Sequence, residues 1–298
     1  MSVQTQQAEL PVPEQRAPEH RRKHRHISGW QIAAHVILII LLVLMVYPLF
    51  MAVWCSFKTT AEFNISKWYP TLPLTLDNIG FAVTELYVYI FNTVFVGGVG
   101  TLGMLVVSSL AAYAFSHMKF PFSEVLYAMV IALMMVPAIM TLVPSFMLYK
   151  QLIGTNNYLI LILPIITGGS VFGVFLLRGF FSGISESIFE AARIDGASDL
   201  TCYFRIGIPL AMPILMTLAI MQLAGAWNDY IWPTIAVPTA VEKLTIAAAI
   251  KKEFLSANSA NYPTLFAGYL VSAIPLVLLY LFANRFYVEG LSVAAVKF

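Results

Sequence analysis

Charge in this chain is confined to islands, and the long gaps between them constrain every fold it can adopt. No Asp, Glu, Lys or Arg occurs at positions 26–57, 86–118, 125–149, 151–177 or 254–284. A helix crossing a bilayer needs roughly 20 mostly apolar residues, and each gap supplies that length. The first span is read as Ile32 to Trp54, the second as Ile90 to Ala112, and the third and fourth as 125–147 and 158–177. The fifth runs from Ile208 to Tyr230, and the sixth occupies 264–284. Composition agrees. Hydrophobic residues make up 59% of the chain and charged residues 11%, an excess that excludes an ordinary soluble domain. The expected fold is an all-α integral membrane protein with six transmembrane helices. The membrane domain covers 29–298 and follows a polar tail, 1–28.

Six spans put both termini on one side, and the basic residues choose the side. With the N-terminus inside, the inner segments hold Arg16, Arg21, Arg22, Lys23, Arg25, Lys119, Arg178, Arg193, Arg205, Arg285 and Lys297. The outer segments hold only Lys58, Lys67, Lys150, Lys243, Lys251 and Lys252. Every arginine is then cytoplasmic, so both termini are expected inside the cell membrane. The tail reads as a disordered segment whose basic end fixes orientation. A net charge of +2 is too small to imply a nucleic-acid partner. The first span is too long for a cleaved signal and lacks an A-x-A site. Trp54 just before Cys55 argues against lipoprotein processing. Cys55 and Cys202 fit neither a disulfide framework nor a zinc spacing.

Two outer loops are long. Positions 58–86 contain Trp68, Tyr69, Pro70 and Pro73, the composition of an ordered cap near the headgroups. Between Pro238 and Tyr262, the stretch Leu244 to Ile250 is too short to span and is expected as a short surface helix. In span two, Gly97, Gly98, Gly100 and Gly103, then Ser108, Ser109, Ala111 and Ala112, read as a seam for close helix packing. Pro137 and Pro144 in span three, and Pro275 in span six, mark expected kinks.

The longest inner loop, Leu177 to Pro209, carries the most specific pattern. Ser185 is placed to cap a helix reaching Ala192. Gly196 offers a turn with positive φ. Ser198 is placed to cap a second short helix running toward Ile206, and Pro209 to enter the next span at its first turn. Ala191 and Ala192 leave room for another surface, while Glu190 and Asp195 offer carboxylates to basic partners or helix ends. An ordinary amphipathic loop would explain the arginines but not the alanine pair and glycine together.

The segment Glu190-Ala191-Ala192-Arg193-Ile194-Asp195-Gly196-Ala197-Ser198 resembles the EAA loop of ABC importer permeases. The resemblance extends over about Ile32 to Phe298, on the side of the second permease of maltose-type importers. It includes Asn156-Asn157-Tyr158 to Pro164, Phe175-Leu176-Leu177-Arg178, Ala226 to Pro233, and Gly290-Leu291-Ser292 to Lys297. It implies that Glu190, Ala191, Ala192, Asp195 and Gly196, with Ile206 and Pro209 beyond, form a coupling element seated in a separate ATPase subunit. It implies that Val296 and Lys297 reach toward that ATPase, and that the outer loop before span six meets an extracytoplasmic solute-binding protein. It further implies a second homologous permease and two ATP-binding subunits, with ATP and Mg held by those subunits. Ser185 and Ser187 depart from the proline and glutamate usual in the family, which puts the start of the coupling segment in doubt. Phe298 replaces the usual terminal glycine and weakens the tail assignment.

Trp227, Asn228, Asp229, Tyr230 and Trp232 sit at the outer end of span five. Rings beside amide and acid groups suit a carbohydrate substrate; an interfacial aromatic belt or a packed gate suits the same residues. Asn92 is a further candidate for the pathway. No lysine follows a glycine anywhere, so the chain has no Walker A motif and ATP must be bound by another subunit. An ion-coupled secondary transporter would call for paired titratable groups at mid-membrane and an internal repeat, and neither is found. An enzyme would call for clustered nucleophiles or metal ligands; His20, His24, His26, His35 and His117 form no such set. The expected role is therefore an importer permease, with no catalytic residue, cofactor or metal of its own. Oligosaccharides, disaccharides and glycerol phosphate-type substrates all fit.

Overall fold

The computed structural model describes the backbone from Gly29 to Ala295 and side chains as far as Phe282; the tail 1–28, Val296 and Lys297 lie outside the described residues. Helices are the only regular elements among those residues. The first, α1 (Gly29–Ser56), exposes Leu38, Leu44 and Met45 alike. A helix that is apolar on all sides belongs in hydrocarbon. Contacts divide the chain at Pro48 into two units, and the first described unit is the α1 segment up to that proline.

The second unit opens on the cap at 57–76, which is held by hydrogen bonds of its own. Its centre is Lys58, fully buried. The ammonium donates to the Ser66 carbonyl at 2.6 Å and the Tyr69 carbonyl at 2.7 Å, and lies 5.8 Å from the centre of the Trp54 ring. Helix α2 (Thr60–Ile65) is closed by Thr59, whose hydroxyl accepts from the Glu62 N–H. Asn78 Nδ2 donates to the Ser56 and Lys58 carbonyls and fastens the cap to the next helix. Lys58→Met keeps the volume and removes the charge, leaving the buried Ser66 carbonyl without its donor while the Tyr69 carbonyl keeps the Trp54 Nε1–H. It is expected to destabilise the cap by about 1–3 kcal/mol, read as faster proteolysis within 57–76 than in the parent protein.

Helix α3 (Asp77–His117) is 41 residues long, or roughly 60 Å at 1.5 Å per residue. It begins well before Ile90 because the residues ahead of that position still pack inward: Ala82 and Leu86 are buried. The third segment is not one helix. It folds as α4 (Ser123–Leu133) and α5 (Ala138–Ile153), bent by 102°. The break falls before Pro137, whose ring disfavours α backbone at Val136 and which has no N–H to donate. Pro144 stays inside α5.

Helix α6 (Leu159–Phe181) is followed by the short α7 (Glu186–Ile194). Then α8 (Asp199–Cys202) runs through a π turn at Tyr203–Gly207 into α9 (Ile208–Asn228), 30 continuous helical residues. Pro209 stands in the first turn of α9 as expected, although helix runs into that turn without a break. The wider π turn just ahead relieves the clash its ring would make with the carbonyl four residues back. Beyond lie α10 (Ile231–Ala236), α11 (Ile246–Ala249), a π turn at Ile250–Phe254, α12 (Leu255–Ala257) and α13 (Tyr262–Ala295). The stretch 244–250 is helical but not a surface element. Leu244, Ile246, Ala248 and Ala249 are all buried, and α11 packs on α3, α9 and α10. Its alanines allow that close approach. Among the described residues, five helices are long and apolar enough to cross a membrane, and the bent α4–α5 pair would make a sixth.

Helix α3 is the post on which α6, α9 and α13 pack. The glycine seam faces two ways. A Cβ on Gly100 would lie 2.8 Å from Ile165 Cβ of α6, while one on Gly97 would touch Ala226 of α9 at 3.4 Å; Gly98 faces open space. From the other side, a Cβ on Gly173 of α6 would lie 2.7 Å from Ser108 Cβ.

Candidate functional site

The loop between α6 and α9 is a helix–turn–helix. Ser185 takes the cap position of α7, but its hydroxyl pairs with that of Ser187 at 2.8 Å rather than with a backbone N–H. The expected cap is thus positional only. The end of α7 is closed more firmly. Ala197 N–H donates to the Ala192 carbonyl at 2.9 Å and Gly196 N–H to the Arg193 carbonyl at 3.0 Å. This pair of bonds is a Schellman closure, and it needs left-handed backbone at the residue after the cap. Gly196 supplies it with φ of 85°. Ser198 then caps α8 as expected, accepting from the Thr201 N–H.

Phe189 and Cys202 are fully buried and pin the two short helices beneath α3, α6 and α9, against Tyr113, Leu177, Phe181 and Tyr203. Glu190, Ala191, Asp195, Gly196 and Pro209 are exposed, and Ala192 and Ile206 are half-buried. Asp195, Gly196, Ala192 and Ile206 border one cleft of about 550 Å³. Ile194 is 86% exposed and Leu200 64%.

A polar network holds α7 to its neighbours. Glu186 Oε1 accepts from Arg193 Nη1 at 2.9 Å, and its Oε2 lies 2.8 Å from His117 Nδ1. Arg193 also reaches Asp199 and the His117 carbonyl, both at 3.4 Å. Burial pushes the Glu186 carboxyl up, but the hydrogen bonds with Arg193 and His117 outweigh it and hold the group below the usual carboxylate range. A lowered value in the folded state means its contribution is present above the unfolded carboxylate pKa and fades as pH falls through the folded one. With the side chain 48% exposed, the gain is at most about 1 kcal/mol. Thermal melts should show Glu186→Gln slightly less stable than the parent at neutral pH, the difference shrinking as pH falls below the ordinary glutamate value of about 4.3.

At the opposite end, the aromatic run after α9 is split between two cavities. Asp229 and Trp232 face one of about 370 Å³ bordered by α5, α6 and α9. Asp229 Oδ1 accepts from the N–H groups of Ile231 and Trp232 at 3.0 and 3.2 Å, so the carboxylate starts α10. Trp232 Nε1 donates to the Ile160 carbonyl at 2.7 Å, and its ring meets Tyr149 edge-on. Trp227, Asn228 and Tyr230 face a second cavity, of about 450 Å³, between α9, α11 and α13. There Lys251 Nζ sits 3.7 Å above the Tyr230 ring, and Trp227 Nε1 donates to the Ser272 carbonyl. Asn92 joins neither group. It is 3% exposed; Nδ2 donates to the Glu242 and Leu244 carbonyls and Oδ1 accepts from Tyr158. With its polar atoms so engaged, Asn92 clamps α3 to the loop at 242–244.

Residues 104–289 match the family model of the binding-protein-dependent transport system inner membrane component. The chain belongs to this family. It is 29% identical over 283 residues to the arabinooligosaccharides transport system permease protein AraQ of Halalkalibacterium halodurans, covering 93% of this chain and 99% of that protein. It is 30% identical over 254 residues to the melibiose/raffinose/stachyose import permease protein MelC of Bacillus subtilis, covering 84% and 91%. The sn-glycerol-3-phosphate transport system permease protein UgpE of Pectobacterium atrosepticum is 28% identical over 273 residues, covering 88% and 96%. A crystal structure of a bacterial ABC transporter involved in import of the acidic polysaccharide alginate shares the fold, with a TM-score of 0.76 at 24% identity, over 88% of this chain and 98% of that one.

The permease is thus a multi-pass protein of the cell membrane and a transport component rather than an enzyme. Sequence reasoning found the turn at Gly196 but missed what anchors the permease's loop. Phe189 was legible as the apolar residue opposite Glu190 on a short amphipathic helix. His117 was not, because its partners lie 64 and 69 positions away. The Asn156–Tyr158 stretch ties the start of α6 to the loop after α10: Asn156 has φ of 61° and accepts from Thr239 and Ala240, and Asn157 Oδ1 caps α6 at Ile160.

Proposed function

We propose that this permease imports a carbohydrate, driven by ATP hydrolysed on two separate ATPase subunits, beside a second homologous permease and fed by an extracytoplasmic solute-binding protein. The observation that carries the reading is the α7–α8 loop: Glu190, Ala191, Asp195 and Gly196 stand exposed, while Phe189 and Cys202 root the same loop in the transmembrane core. A loop anchored below and open above suits a coupling element that takes a push from an ATPase. The exposed Ile194 and Leu200 offer apolar surface to such a partner. ATP and Mg belong to the ATPase subunits, with no cofactor on this chain. Both termini lie inside in this reading, and Val296 and Lys297 extend toward the ATPase interface. The sugar-import names of several relatives support a carbohydrate substrate.

Closure of the ATPase pair would press on the segment Glu190 to Gly196, and Ile206 and Pro209 would carry the displacement into α9 through continuous helix. The outer ends would then part and accept substrate from the binding protein. Trp227, Asn228, Asp229 and Tyr230 are assigned to the outer gate, since their polar atoms largely serve α10 and neighbouring helices. Tagging the chain and purifying it gently from its native membrane tests the assembly. An ATPase, a second permease and a binding protein should be recovered together; a homogeneous chain without an ATPase would contradict it.

A further inference from the structure

The short helix α7 is gripped at both ends by the C-terminus of α3, and we infer that His117 is the joint through which the coupling segment moves that helix. The inference rests on the coupling reading and adds to it the route by which displacement reaches α3. Helices α6 and α9 are tied to α7 by the chain itself, through 182–185 and 195–198. Helix α3 has no such link, because 68 residues separate it from α7, yet it is the post on which α6, α9 and α13 pack. Its connection to α7 is made by side chains. At the start of α7, Glu186 Oε2 lies 2.8 Å from His117 Nδ1. At its end, Arg193 Nη2 donates to the His117 carbonyl at 3.4 Å. Between these points the imidazole lies on the Phe189 ring, centroids 4.1 Å apart, and its Nε2 is 3.1 Å from the Phe181 carbonyl at the end of α6.

The charges suit the positions. Glu186 sits in the first turn of α7, where a helix favours a negative group, and Arg193 meets a carbonyl at the end of α3, where a helix favours a positive one. The Glu186–Arg193 ion pair ties the two grips into one. A lever held at one point can pivot without moving its support. One held at both ends transmits translation and rotation, so α7 cannot shift without carrying the end of α3. His117 is in these terms a positioning residue, one that touches neither substrate nor nucleotide.

The test uses the complete complex in proteoliposomes, measuring sugar imported and ATP hydrolysed side by side. His117→Phe keeps the ring on Phe189 and removes both nitrogen contacts; Glu186→Gln keeps the side chain's shape and removes its charge. Each should assemble with the ATPase and hydrolyse ATP, while sugar moved per ATP falls by roughly tenfold for His117→Phe, the scale of one charge-assisted hydrogen bond, and by less for Glu186→Gln. The double variant should be no worse than His117→Phe alone. An unchanged ratio in both single variants, or equal losses of assembly, hydrolysis and import, would overturn the joint and leave His117 merely structural. Failure of the parent complex to contain or use an ATPase would instead remove the coupling reading beneath it.

Discussion

Replacing Gly196 with valine should reduce ATP-driven uptake by roughly tenfold or more while the chain still inserts and keeps its transmembrane packing. Backbone rather than space sets the requirement: a Cβ at Gly196 would meet nothing within 4 Å. The φ of 85° is the cause. An L-residue there costs about 1–2 kcal/mol, with β-branched side chains at the high end. The Schellman closure that needs this backbone fixes the angle between α7 and α8, so relieving the strain means reopening the turn. Phe189 and Cys202 would hold the base while the exposed segment lost its shape. Gly196→Asn is the control, since asparagine tolerates left-handed backbone and should retain most of the uptake. Uptake assays paired with membrane fractionation separate the outcomes. Equal loss in the valine and asparagine variants would point to the glycine's small size instead.

Gly100→Leu should prevent stable assembly, whereas Gly98→Leu, two positions away on the same helix, should be close to silent. At position 100 a Cβ would lie 2.7 Å from Ile165 Cγ2 and 2.8 Å from Ile165 Cβ. The second atom is set by the α6 backbone and cannot swing aside, so the helices must part. Overpacking of this kind costs about 1–3 kcal/mol for a few added methylenes, and the whole leucine side chain stands at the seam on which α6 docks. Gly98 faces open space, so a leucine there meets no neighbouring helix of this chain. Gly103 is more forgiving than Gly100, because its nearest neighbour, Ile166 Cδ1, is the free end of a side chain. Thermal melts of the detergent-purified variants give the order directly: Gly100→Leu lowest, Gly98→Leu near the parent. Equal melting points would remove the seam from the account.

These contrasts show what the sequence carried. Small residues in span two announced close packing, but four glycines in seven positions look alike until the neighbouring helices are in place. Only then do Gly97 and Gly100 separate from Gly98. The two prolines of the third segment posed the same difficulty. Both remove a donor, yet the chain breaks before Pro137 and runs straight through Pro144. Beyond the break, α5 is held by Tyr149 and Phe146 against Trp232, a contact more than 80 positions distant. The loop between α6 and α9 was far more legible, because its helix cap and its positive-φ glycine are local chemistry. Even there, the cap at Ser185 went unused and the anchoring network on His117 was invisible, since it joins segments distant in sequence. The partners of Asn92 were hidden for a similar reason. A polar residue in a span signals a partner, and here the partners are carbonyls of a loop 150 positions away.

The central claim is that ATP, acting through the loop at Glu190 to Gly196, drives import through this permease. Proteoliposomes containing the purified complex, loaded inside with ATP and Mg and supplied outside with the binding protein and labelled sugar, test it most directly. The expected result is uptake that requires internal ATP, persists when ionophores abolish every ion gradient, and falls by roughly tenfold or more in Gly196→Val. Uptake that survives without ATP and collapses with the ionophores would contradict it and make the protein an ion-coupled carrier.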